Sequence, residues 1–570
     1  MNLIHYLKDE WRAYTLGGVL LLMTTGAALS IPWTLKQIIL SLEIDPTTVG
    51  PWVLLLVGLA VLRGLLRVAS RVTLFDPARR VEYKIRGRLF AHMMRQSRSF
   101  FGHHPIGDVM SRATQDLNQV RLLLGPGILG VLNTIFSYIG GLTACLLISW
   151  KLTLLAILPY VLLVGLLGKV ARMLMVRFRR SMEANADLTA YLQGTISGVS
   201  LIRAHGEEGP VTERFQLRNR EIFDANWSLA KVRAILFPLM IVLPSIGAMV
   251  TLLVGGRAVV QEEIDLATFV AFAAYLYLLA QPTISMGWII AIFARARTSW
   301  KRLQELFDFE PQIQNREQAS IPEERRGRLQ VKELSFAYPG DERLALEQIN
   351  IDLEPGQILG VVGRVASGKS TLGRLLSRLE EPPHGTVLVD GLPVADWPLE
   401  ALRRQVSVVP QEIFLLTDTL ANNLRMGASD VDEETLLYAT KTAEIHDDII
   451  TFSRGYDTEV GERGVTLSGG QRQRTAIARA LLHGGKILVL DDCLSAVDIH
   501  TERRILSHLR SAREGITTVV ISTRLSAVVE ADEIIVMDEG RIVQRGRHED
   551  LLNEDGLYRR MWRREKEEAA

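Results

Sequence analysis

Hydrophobic and polar positions alternate on two different scales along this chain. In roughly the first 300 residues, uncharged or nearly uncharged runs occupy Thr15 to Leu35, Thr47 to Leu62, Leu122 to Trp150, Leu152 to Gly168, Ala234 to Gly256 and Leu266 to Ala294. A helix needs about 20 apolar residues to cross a bilayer, so the pattern predicts six transmembrane helices. Two of the runs are short, but each continues into an amphipathic extension, as expected of helices lining an aqueous cavity. The polar stretch Glu310 to Arg328 lacks apolar periodicity and reads as a linker. Beyond it, short β-branched runs at Leu329 to Val331, Gln357 to Val362, Ser407 to Val409, Lys486 to Leu490, Thr517 to Ile521 and Glu533 to Met537 alternate with helical stretches. That alternation predicts an α/β domain. The expected organisation is a six-helix membrane domain over 1–308, a linker over 309–328 and an α/β domain over 329–565.

Charge adds orientation. The 65 Lys+Arg and 64 Asp+Glu nearly cancel, so net charge names no partner, but their distribution is uneven. The segment 43–50 carries Glu43 and Asp45 with no base, the third turn is short around Lys151, and 257–265 sets Glu262, Glu263 and Asp265 against Arg257. The segments 79–121 and 169–233 are long and rich in Arg. The positive-inside rule therefore places these segments, both termini and the α/β domain in the cytoplasm. Helical patterning through both segments predicts helices that project beyond the membrane, with contact points to the α/β domain at Gly107 to Gln119 and Glu208 to Phe215, where Gly and Pro interrupt them. The two cysteines, Cys145 and Cys493, lie in different halves, which argues against a structural disulfide. The N-terminal stretch mixes acids and bases without a small-residue cleavage pattern, so the first span is expected to remain as an anchor, with no peptidase-like extension before Thr15.

The chemistry is concentrated in the second half. An apolar strand, Ile358 to Val362, leads into Gly363-Arg364-Val365-Ala366-Ser367-Gly368-Lys369-Ser370 and then a helix from Thr371. Strand, glycine-containing loop and helix form the context a phosphate loop requires: backbone N–H groups and the helix N-terminus hold phosphates, Lys369 reaches the β/γ oxygens and Ser370 ligates Mg²⁺. Asp491, at the end of the run Lys486 to Leu490, is the expected Mg²⁺ partner through water. Tyr338, in Phe336-Ala337-Tyr338-Pro339, is placed to stack on adenine, the alternative being ordinary edge packing of an aromatic before a Pro-Gly turn.

With Leu467-Ser468-Gly469-Gly470-Gln471 following in order, the chain resembles an ATP-binding cassette half-transporter of the exporter type over essentially its whole length. The resemblance implies the type IV exporter fold: a membrane domain of six transmembrane helices followed by an α/β nucleotide-binding domain. It makes Ser468 to Gln471 the signature motif, and Gln411 the loop residue that senses Mg²⁺ and the membrane helices. Ser495-Ala496-Val497-Asp498 corresponds to the loop crossing the dimer interface, and Thr458 to Gly464 to a segment that contacts the membrane domain. It further implies that two cassettes face head to tail, each ATP being held by one subunit's phosphate loop and, in trans, by the other's Ser468, Gly469, Gly470 and Gln471. A half-transporter must then dimerise.

Three residues depart from the family pattern. Asp492 stands where the cassette has a catalytic Glu, and a misplacement of about 1 Å there can cost on the order of 10²-fold in rate. Thr523 replaces the His that contacts the γ-phosphate, a loss of comparable size, about 10²-fold or more. Ala366 replaces a loop Gly. The combination resembles heterodimeric bacterial multidrug exporters, in which one subunit has the weakened Glu and its partner a weakened signature. The expectation is a subunit that binds Mg-ATP at its own phosphate loop but hydrolyses it slowly. It would pair with a second half-transporter in the bacterial inner membrane and move drugs, lipids or other amphipathic substrates. A regulatory subunit gating a competent partner, and an ordinary homodimer, are the alternatives. The spans exclude a soluble cassette protein working on nucleic acid. Arg63, Arg67 and Arg71 recur every four residues on the second span; Arg63, near mid-bilayer, either lines a cavity, favouring anionic or amphipathic cargo, or pairs with another helix.

Overall fold

The computed structural model describes residues 3–428, 431–461, 464, 466–511 and 515–569. They form two compact units, Met1–Met93 with Ile106–Phe309, and Met94–Pro105 with Glu310–Ala570.

The first unit is helical. Its long helices are Trp11–Ile44, Val49–Met93, Trp150–Ser197, Glu208–Val250 and Leu266–Asp308. A further continuous helical stretch runs Ile106–Ile148. Four of these, Trp11–Ile44, the helical stretch Pro46–Met93, Ile106–Ile148 and Leu266–Asp308, are long and apolar enough to cross a membrane among the described residues. The expected spans Leu152 to Gly168 and Ala234 to Gly256 fall on Trp150–Ser197 and on Glu208–Val250 with its continuation. Many side chains there lie outside the description. At 48 residues, Trp150–Ser197 reaches about 70 Å on the helical rise, over twice the ~30 Å hydrocarbon thickness. This helix is therefore longer than a single crossing requires.

The third helix loosens twice into π-helical turns, Arg112–Asp116 and Leu123–Gly127. Pro126 lies in the second, where its missing N–H is accommodated by the wider turn. In the first, the buried side chains Arg112 and Asp116 serve as anchors to the last helix. Arg112 pairs with Asp108 at 2.8 Å and Glu305 at 3.2 Å, Arg302 bridges Asp108 at 2.7 Å and Asp116 at 3.0 Å, and the Ser299 hydroxyl donates to Asp116 at 2.7 Å. Nearly every charge in this clasp has an opposite partner, as burial demands. Arg63 is half-buried and Arg67 and Arg71 are exposed, and no carboxylate among the described residues pairs with any of them.

Gly107 to Gln119 and Glu208 to Phe215 belong to the helical unit, and the segment Met94–Pro105, containing the short helix Arg98–His103, clusters with the α/β unit. The hydroxyls of Ser97 and Ser99 donate to Gln312 at 2.9 and 3.0 Å, and Phe100 is fully buried. The break falls before Pro105, which disfavours helical backbone at His104, rather than at Gly107.

In the second unit, a six-stranded sheet runs in the order Arg541–Gly546, Glu533–Asp538, Ile358–Gly363, Thr517–Ile521, Ile487–Asp491, Val406–Val409, parallel except for its first edge strand. Both faces are covered, so its strands read as unbroken apolar runs. Leu359, Val361, Val489, Val519 and Ile521 face one core, while Val362, Leu488, Leu490 and Val520 face the other. An antiparallel sheet, ordered Leu346–Leu353, Leu329–Phe336, Val387–Val389, Leu392–Pro393, packs over the first core.

Candidate nucleotide site

The parallel neighbours Ile358–Gly363, Thr517–Ile521 and Ile487–Asp491 all point the same way, so three loops leave the sheet at one edge. This is the end at which ligands collect in open α/β sheets. From the first strand comes Gly363 to Ser370, from the third Asp491 and Asp492, and from the strand between them Ser522 and Thr523. Ser522 N–H donates to Val361 at 3.0 Å and Asp492 N–H to Ile521 at 2.8 Å, so the ladder itself sets the spacing of the loops.

The loop's glycines are forced by close approach. A Cβ on Gly363 would come within 2.1 Å of the Met537 carbonyl oxygen, and one on Gly368 within 2.6 Å of that of Ala345; both have positive φ. Ala366 also has a left-handed φ of 64°, an orientation that favours glycine. The Lys369 ammonium donates to the Gly363 and Arg364 carbonyls at 2.8 and 2.7 Å, folding over its own loop. Burial lowers its pKa, an effect opposed by Asp492 and Asp491. The Ser370 hydroxyl donates to Asp491 Oδ1 at 3.0 Å. Burial pushes the Asp491 carboxyl up, while the Ser370 hydrogen bond pulls it back.

The residues fit ATP with Mg²⁺. Tight glycines leave room for phosphates against the loop backbone. The Ser370 hydroxyl and Asp491 carboxylate converge as hard oxygen donors suited to Mg²⁺ shared with phosphates. No cluster of three or more His, Cys, Asp or Glu able to hold a metal by itself occurs among the described residues. A cavity of about 640 Å³ opens here, lined among others by Tyr338, Val365, Thr371, Gln411, Asp492 and Thr523. Tyr338 is held by two groups: its hydroxyl lies 3.0 Å from Thr371 Oγ1 and accepts from Arg374 at 2.9 Å. Its ring meets Phe336 edge-on at 5.1 Å. Arg374 did not stand out in the sequence, although it sits one turn after Thr371 on the same helix face.

Asp492 and Thr523 are in direct contact. Thr523 presents its hydroxyl at 3.3 Å and its N–H at 3.4 Å to Asp492 Oδ1. The signature residues stand apart from this cavity. Ser468 caps the helix Gly469–His483 in a reciprocal capping box: Gln471 N–H donates to its hydroxyl at 3.2 Å, and Ser468 N–H donates to Gln471 Oε1 at 3.0 Å. Gln471 in turn donates to Asp448 at 2.9 Å. Behind this turn, Gln473 donates to Ser495 at 3.1 Å and accepts from Ala496 N–H at 2.8 Å. Within Thr458 to Gly464, Glu462 and Arg463 lie outside the described residues. Cys145 and Cys493 are both buried and free, in separate units.

Residues 14–283 match the family described as ABC transporter transmembrane region, and residues 346–495 the family described as ABC transporter. The chain is 35% identical to the multidrug resistance-like ATP-binding protein MdlA of Escherichia coli K12, over 99% of this chain and 96% of that protein. It is 33% identical to the probable multidrug resistance ABC transporter ATP-binding/permease protein YheI of Bacillus subtilis, over 98% and 96%. With the ATP-dependent lipid A-core flippase of Hahella chejuensis it shares 32% identity over 98% and 95%. A solved structure of a bacterial Atm1-family ABC exporter with ATP bound superposes with a TM-score of 0.80 at 25% identity, covering 97% of this chain and 99% of that one. Phosphate loop, signature turn and membrane helices thus occur in the order and fold of these proteins, and the chain belongs to the ABC transporter family as an exporter with an N-terminal membrane domain and a C-terminal ATP-binding domain.

Proposed function

We propose that this chain is one half of a heterodimeric ATP-driven exporter of the inner membrane that moves amphipathic molecules out of the cytoplasm, and that its own phosphate loop forms the slow ATP site. In this reading Lys369, Ser370 and the loop backbone of Gly363, Arg364, Val365, Ala366, Ser367 and Gly368 bind the phosphates, with Thr371 at the helix start. Ser370, Asp491 and Gln411 share Mg²⁺, and Tyr338 packs on adenine. In the second composite site, Ser468, Gly469, Gly470 and Gln471 close over the partner's ATP.

The contact between Asp492 and Thr523 carries the proposal. The carboxylate at the position nearest an attacking water is one methylene short, and one of its oxygens accepts from Thr523. A carboxylate that is shorter and already accepts a hydrogen bond orients an attacking water poorly, and position 523 carries no imidazole to contact the γ-phosphate. The capping box at Ser468 is fully formed, so the half-site offered to a partner is in order.

The test is a comparison of the purified chain alone with the chain co-expressed with a neighbouring half-transporter gene, expected to encode Glu and His at the equivalent positions and an altered signature. Steady-state ATPase should require both chains. A stable homodimer with full, substrate-stimulated ATPase would replace this reading with the second one, a homodimeric drug or lipid flippase. The similarity to the lipid A-core flippase over nearly the whole chain favours that second reading. A third outcome, cargo cross-linking to the partner alone, would make this chain a gating subunit.

A further inference from the structure

The loop itself holds only the Arg524 N–H of the turn that follows Thr523, which donates to the Ser522 hydroxyl at 3.0 Å. Leu525–Val528 forms a single 3-10 turn, and no side chain of its own N-cap residue, Arg524, satisfies the turn's first N–H groups. They are satisfied from 40 residues away: Glu565, on the C-terminal helix Leu557–Ala569, accepts from Leu525 N–H at 2.7 Å and from Ser526 N–H at 3.2 Å, one through each carboxylate oxygen. An anionic acceptor at the start of a helical turn is favoured both by charge-assisted hydrogen bonding and by the turn's dipole.

The same turn faces the loop Ser495 to Asp498. Arg524 donates to the Ser495 carbonyl at 2.8 Å and the Val497 carbonyl at 3.1 Å. Its guanidinium lies 3.4 Å from Glu502, whose other oxygen accepts from the Ser526 hydroxyl at 3.0 Å. Ser495 then meets Gln473, two residues along the signature helix from Gln471. A continuous polar chain therefore runs from the C-terminal helix, through the turn after Thr523, to the loop Ser495 to Asp498 and the signature helix.

We infer that Glu565 is a positioning residue for ATP hydrolysis: its carboxylate fixes the turn from which Arg524 holds the Ser495 and Val497 carbonyls, and so the loop that braces the signature helix serving the partner's ATP. The C-terminal helix is docked independently of this contact. Tyr558 is fully buried, its hydroxyl lies 2.7 Å from His548 Nδ1, and its N–H donates to Gln544 at 2.9 Å; Trp562 packs edge-on against His548 at 4.8 Å. Replacing Glu565 thus removes two hydrogen bonds at the turn while the apolar docking of the helix remains.

The inference rests on the family's ATPase activity and not on which second subunit pairs, because each variant is compared with its parent in the same reconstituted dimer. Glu565→Ala is expected to lower kcat for ATP about tenfold, less than the ~10²-fold cost of a 1 Å misplacement of reacting groups, with KM for ATP within about twofold of the parent. Glu565→Gln, which keeps one uncharged acceptor oxygen, should recover part of that loss. Glu567→Ala, exposed on the same helix, should match the parent. A Glu565→Ala protein with parental kcat, or a loss of kcat that Glu565→Gln does not relieve, overturns the inference. If Glu565→Ala fails to fold, Glu565→Gln decides alone: lowered kcat at unchanged KM supports the assignment, and parental kcat rejects it. An inactive parent would count against the proposed dimer instead.

Discussion

Thr523 directs its hydroxyl and its backbone N–H to the same oxygen, Oδ1 of Asp492, at 3.3 and 3.4 Å. Asp492 sits at a left-handed φ of 46°, an uncommon conformation for a residue other than glycine. The two residues on which the proposed slow site rests are thus one physical unit, and substitutions at them should not be independent.

A double-mutant cycle tests this. Asp492→Glu alone should raise the ATPase of the dimer by only a few-fold, because the longer carboxylate loses Thr523 as a partner and still has no imidazole beside it. Thr523→His alone should also do little. Together they should give roughly tenfold or more beyond the product of the single effects, since groups acting as a unit are strongly non-additive. Steady-state phosphate release from the four proteins supplies the measurement, and multiplicative effects would show the two positions to be uncoupled.

Ala366 stores backbone strain at its φ of 64°. A left-handed L-residue costs about 1–2 kcal/mol, and the extra freedom that glycine gives the unfolded chain returns about 0.4–1 kcal/mol of that. Ala366→Gly should therefore stabilise the protein by about 0.5–1 kcal/mol net, and Ala366→Val, β-branched in the same conformation, should destabilise it. Thermal unfolding midpoints of the two variants in detergent check the sign of both changes.

The phosphate loop and the signature turn of this chain serve different sites in the proposed dimer. Lys369→Ala should reduce ATP occupancy at the slow site and lower turnover only partly. Ser468→Arg should abolish most turnover, because a bulky cation replaces a capping hydroxyl that closes over the partner's ATP. Equal losses in steady-state ATPase would mean that both sites cycle alike.

Stability should fall with acid at His483. Burial lowers its pKa below the ordinary 6.5, with the positive charge of Arg404 as a second cause, and its Nδ1 lies 3.1 Å from the Ser407 hydroxyl. The unfolded chain then binds the proton more readily than the native one, so stability is full above pH 6.5 and declines as pH drops toward the lowered native value. Unfolding midpoints measured across that window should decline less steeply in His483→Gln.

Much of this was legible in the sequence because it depends on local spacing. Runs of about 20 apolar residues mark spans whatever their neighbours are. The loop Gly363 to Ser370 joins one strand directly to one helix, so its spacing is read in a single stretch, and the strands at 358, 487, 517 and 533 are buried on both faces and so read as plain apolar runs. The strand Leu346–Leu353 was harder to see. Leu346, Ile349, Ile351 and Leu353 are its buried positions, and an irregularity at Gln348, with φ of 52°, breaks their period of two.

What the tertiary structure alone decided is which distant residues meet. Asp492 and Thr523 are 31 positions apart and touch only because their strands are parallel neighbours, paired Asp491 to Ile521. Glu565 reaches the turn at Leu525 only because Tyr558 and Trp562 dock the last helix beside His548. The charged clasp of Arg112, Asp116 and Arg302 depends on a π-helical turn that no residue pattern announces. In each case the local sequence supplies the hydrogen-bonding group, while the partner is chosen by sheet order and helix packing, which depend on the burial of the whole core rather than on any one segment.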